Sequence, residues 1–102
     1  MTKDPQITAA VKEILELIEK ISPGKSVELR IPPYGAIQCV AGSSHRRGTP
    51  PNTVEMSGQT LVRLVNEPSL WSDLCESGEV RASGLLSDLS NLFAQAAVKY
   101  RA

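Results

Sequence analysis

The stretch Val27–Gly42, "VELRIPPYGAIQCVAG", decides the class of fold open to this chain. "VELRI" alternates, with Val27, Leu29 and Ile31 on one side and Glu28 and Arg30 on the other. A period of two is that of a strand with one buried and one wet face. "PPYG" interrupts it, because two prolines and a glycine cannot continue a ladder. "AIQCVAG" resumes with Ala36, Ile37, Cys39, Val40 and Ala41. It is apolar on both faces and predicts an inner strand.

Upstream, the spacing predicts a helix. Asp4 suits its N-cap and Pro5 its first turn. Ile7, Val11, Ile14, Leu15, Ile18 and Ile21 recur at intervals of three and four and share one face. "SPGK" stops it at Pro23 and Gly24.

Downstream, "HRRGTPPN" (His45–Asn52) separates the second strand from a third, "TVEM", with Val54 and Met56 on one face. Ser57 is placed to cap a helix with Leu61, Leu64 and Val65 inward, which Pro68 breaks. Ser69 is then expected to cap a shorter helix carrying Leu70, Trp71, Leu74 and Cys75, stopped at Gly78. "EVRAS" reads as a fourth strand. A last helix is expected from Ser87 or Asp88, with Leu89, Leu92, Phe93, Ala96, Ala97 and Tyr100 inward.

Helix, three strands, two helices, strand, helix is not a strict alternation. It argues for an α+β fold, with a small, mostly antiparallel sheet and helices packed on one face. The 102 residues fit a single domain, 1–102. The outer strands of so small a sheet would be exposed edges, which leads to the expectation of a homodimer.

Lys+Arg and Asp+Glu both number 11, so the formal net charge is zero. Bulk charge therefore offers no case for nucleic acid. The distribution is uneven: no carboxylate lies between Glu28 and Glu55, while Glu67, Asp73, Glu76 and Glu79 occur without a base between Asn66 and Val80. Two patches of opposite sign are either ordinary surface variation or complementary interaction surfaces. Cys39 and Cys75 sit in apolar contexts at a spacing that fits no metal or redox motif. The N-terminal segment lacks the apolar core of a signal peptide and no run could span a bilayer. The expectation is a cytoplasmic protein with no integral membrane association.

Site chemistry is sparse. One histidine and two distant cysteines do not assemble a zinc site, and His45 beside Ser43 and Ser44 has no aligned third group. No phosphate-binding glycine motif is present. No catalytic residue, metal or cofactor is expected. His45, Arg46, Arg47 and Asn52 form a candidate loop for an anion or for a partner's acidic surface. Arginine's planar fork suits carboxylates and phosphates, and the adjacent prolines lower the ordering cost. Leu61, Leu64, Trp71, Leu74, Leu92 and Phe93 either fill the core or line a cavity for an apolar ligand.

"RIPPYGAIQCVAGSSHRRGTPPNTVEM", the helix after it, and "LWSDLCESGEVRASGLLSDLSNLF" resemble the bacterial sterol-carrier-protein-like domain over roughly residues 26–93. That domain also forms the C-terminal part of proteins related to mycothiol-dependent maleylpyruvate isomerase. The most specific elements are His45, Arg47, Gly48, Thr49, Pro50, Pro51 and Asn52, then Trp71, Gly78, Val80, Arg81, Ser83 and Gly84. The resemblance implies helices over a curved sheet. It also implies a non-enzymatic module that holds a lipid or fatty acyl chain between sheet and helices. The isomerase chemistry is not implied, since it belongs to a separate helical bundle. The alternative is an interaction module, dimerising or docking on an enzyme, with no ligand tunnel.

Overall fold

The computed structural model describes residues 3–42 and 52–101. It begins with α1, Pro5–Ile21, whose N-cap Asp4 accepts a hydrogen bond from the Gln6 amide at 2.9 Å, with Pro5 in the first turn. Val11, Ile14, Leu15 and Ile18 form its buried stripe. The remaining elements are β1 (Val27–Ile31), β2 (Gly35–Cys39), β3 (Asn52–Met56), α2 (Gly58–Asn66), α3 (Trp71–Ser77), β4 (Val80–Ser83) and α4 (Ser90–Arg101). Strand order is β2-β1-β3-β4. β1 pairs antiparallel with β2, β3 antiparallel with β4, and β1 parallel with β3. The α+β class and the mostly antiparallel sheet stand as the sequence predicts.

The alternation in "VELRI" is fully realised: Val27, Leu29 and Ile31 are buried, Glu28 and Arg30 half-buried. Val54, Met56 and Val80 join them on the inner face, and one apolar cluster unites these residues with the buried sides of α1, α2, α3 and α4. The other face carries Glu28, Arg30, Thr53, Glu55, Arg81 and Ser83 in register across three strands.

Three expectations require correction. "AIQCVAG" is an edge strand and ends at Cys39. β3 docks on the free side of β1, so the inner strands are β1 and β3, and small Ala36 lies exposed on β2. Ser69 does not cap the short helix: a single 3-10 turn, Pro68–Leu70, leads directly into α3, whose N-cap position is Leu70 with no side-chain bond. The last helix begins at Ser90, with the Asp88 carboxylate accepting from the Ser90 amide and Leu89 buried just ahead of it. Ser57 and Gly78 behave as expected. Ser57 accepts from the Thr60 amide, and Gly78 closes α3 at φ 84°.

The register places the start of β1, the end of β2, the start of β3 and the end of β4 side by side: Val27 pairs with Cys39 and with Asn52, and Thr53 with Ser83. The described ends of three connections therefore gather at one end of the sheet: α1 to β1, β2 to β3, and β4 to α4.

Candidate ligand site

Where these connections meet, an open cleft of about 450 Å³ lies between the end of α1, the end of β2 and the N-terminal half of α4. Its apolar walls are Ile21, Val40, Leu86, Leu89 and Leu92, and Ser22, Asp88, Asn91 and Gln95 add polar groups. Leu85 stands at its rim. The volume falls within the roughly 300–1,000 Å³ of small-ligand sites, and the mix of apolar wall with a few polar groups matches them.

The walls are held by backbone geometry. Val40 has φ 67°, a left-handed conformation that costs a β-branched residue about 1–3 kcal/mol. Two bonds hold it there: its amide donates to the Ser22 carbonyl at 2.9 Å, and its carbonyl accepts from the Ser26 amide at 3.1 Å. Gly24 lies against that same carbonyl, so closely that a Cβ there would collide with it. Asn52 ties the third connection in. It is buried; its side-chain amide donates to the Ser26 carbonyl at 2.8 Å, and its side-chain oxygen accepts from the Leu86 amide at 2.9 Å.

Of the candidate anion loop, His45, Arg46 and Arg47 lie outside the described residues. Asn52 is the one described member, and its described bonds are the two internal ones above. The six apolar candidates come together in the core. Leu61, Leu64, Leu74 and Phe93 are almost wholly inaccessible, and Trp71 and Leu92 retain 7% exposure each. The Trp71 and Phe93 rings pack with centroids 5.9 Å apart at a 30° tilt. Only Leu92 also faces the cleft. Ile21, Val40, Leu86 and Leu89 were not read from the sequence as ligand residues. The available signal was the pair of adjacent leucines after "SG", at the two corners of a turn closed by the Ser87 amide on the Gly84 carbonyl.

Two other features bear on the chemistry. Burial, with a smaller contribution from the Glu19 carboxylate, pushes the Cys39 thiol up to about 11, so it stays protonated and unreactive at neutral pH. Of the described charges in the two patches, Arg30 pairs with Glu28 and Glu79 lies 4.0 Å from Arg63, and Arg81 pairs with Glu55 on the outer face of the sheet.

The family model described as bacterial SCP ortholog, SCP being sterol carrier protein, matches residues 3–94. No curated protein matches the chain. Among solved structures, one described as UbiJ-SCP2 ubiquinone synthesis protein superposes with a TM-score of 0.56 at 19% identity, covering 100% of this chain and 98% of that one. The solution structure of the sterol carrier protein domain 2 of Helicoverpa armigera gives 0.51 at 18% identity, covering 96% and 95%. At such identities the likeness carries the fold.

Proposed function

This chain belongs to the bacterial sterol-carrier-protein ortholog family, and on that premise we propose that it is a non-enzymatic binding module for an apolar ligand, a lipid or fatty acyl chain. The observation that supports this reading most directly is the cleft at the α1–α4 end. It is open to solvent at Gln95 and Leu86 and floored by Leu89 and Leu92, which belong to the apolar cluster. A chain entering there leaves water for apolar contact at about 0.8 kcal/mol per methylene. Ser22, Asn91 and Gln95 at the mouth supply hydrogen bonds for a polar head.

The test combines native mass spectrometry of protein purified from its own host with titration of a fluorescent acyl probe. Copurifying lipid and saturable probe binding are expected. Gln95→Trp fills the mouth from an exposed position without altering the core, and it should weaken probe binding about tenfold or more. Absence of both lipid and probe binding in the wild type sinks the reading.

A second reading, an interaction module that dimerises or docks on another protein, is favoured by edge strands β2 and β4, which have no further strand beside them among the described residues. Sedimentation across salt concentrations separates it: a monomer throughout, without partners in pull-downs, removes it.

A further inference from the structure

The turn Gly84–Ser87 violates ordinary turn chemistry. Its two corner positions, where glycine, proline, asparagine or aspartate are usual, are both leucine. Leu85 is 101% exposed and Leu86 42%. Sequences depart from local rules chiefly at functional sites, and two adjacent leucines at a projecting corner are such a departure. The corner does not stand alone. The Leu86 amide is fixed by Asn52, which also holds the carbonyl of Ser26, so exposed Lys25 belongs to the same end. Gly42, close to both Ser26 and Leu86, lies at this end as well. Asp88 is the acidic group on the cleft side of the turn.

We infer that the Leu85–Leu86 corner is an interfacial anchor that seats this end of the molecule on a lipid bilayer, with the apolar cleft opening toward the membrane. A stable protein interface needs about 800 Å² on each partner with close shape fit. A narrow convex corner offers two side chains, which a fluid acyl–headgroup boundary accommodates without matching shape. Lys25 favours an anionic leaflet, while the leucines supply most of the attraction. The inference deepens the proposed function by naming where an apolar ligand would be collected, but docking and ligand binding are separable.

The full chain is mixed with phosphatidylcholine–phosphatidylglycerol vesicles and sedimented. Wild type is expected to partition onto the vesicles, and Leu85→Glu to bind about tenfold or more weakly. Leu85→Trp, which places an amphipathic ring at the same corner, should bind more tightly. The acyl-probe titration is run on wild type without vesicles, so its failure and failure of vesicle docking identify different errors. Wild type remaining in solution overturns the inference, as does Leu85→Glu binding as well as wild type. So does a Leu85→Glu variant that merely converts a wild-type dimer to monomer, which would assign the corner to a second copy.

Discussion

Asn52 joins connections that would otherwise be independent. Its two bonds reach a carbonyl before β1 and an amide after β4, 26 and 34 residues away. Truncation removes the side chain that satisfies the Leu86 amide and the Ser26 carbonyl. Asn52→Ala should cost about 1–3 kcal/mol per group left unpaired, read as a lower urea midpoint with little change in slope. It should also loosen the Leu86 wall and weaken acyl-probe binding. A midpoint equal to wild type would show that these bonds contribute nothing net. In the sequence, Asn52 closes a basic, proline-rich segment, and that neighbourhood suggests a binding loop. Its inward direction follows only from the parallel register with Val27, which brings Ser26 beside it. Local composition does not encode that register.

Among the elements, those legible in the sequence are those whose cause is local. The cap on α1, the left-handed stop of α3 and the alternation of β1 each depend on neighbours a few residues away. The misplaced strand is the one whose environment depends on a distant partner: β2 is an edge because β3 takes the other side of β1. The two serines before the middle helices make the same point experimentally. Both look like N-caps, yet Ser57 accepts from the Thr60 amide at 3.1 Å and Ser69 lies inside a 3-10 turn. Ser57→Ala should therefore destabilise the domain by about 1 kcal/mol, and Ser69→Ala by no more than about 0.5 kcal/mol. Equal losses in thermal or urea unfolding would contradict the assignment. The cleft falls between these cases. Its apolar walls come from three separate stretches of chain: helical spacing turns Ile21, Leu89 and Leu92 inward, but nothing local brings Val40 and Leu86 beside them.

For the whole molecule, the decisive feature is that one sheet face carries all the helices and the three connections at one end carry the cleft. Stability should be graded accordingly. β1 and β3 are bonded on both sides and covered by the apolar cluster, so their amides should open only with global unfolding. The turn at Leu85–Leu86 is exposed and rests on few backbone bonds, so it should open at much lower free energy. An acyl ligand in the cleft touches the end of α1, Val40 and the first half of α4, and not the centre of the sheet. Hydrogen exchange should then show slowing confined to residues 21–22, 40 and 84–95 at a concentration that half-saturates the probe. At large ligand excess, global stability should rise with the logarithm of its concentration, and β1 and β3 should slow in parallel. Slowing that appears first in α2 and α3 would instead place the ligand among Leu61, Leu64, Trp71 and Leu74, within the packed layer. The same residues would then be a binding surface that opens to admit its ligand, and Trp71 fluorescence would change on binding more than a probe attached near Leu86.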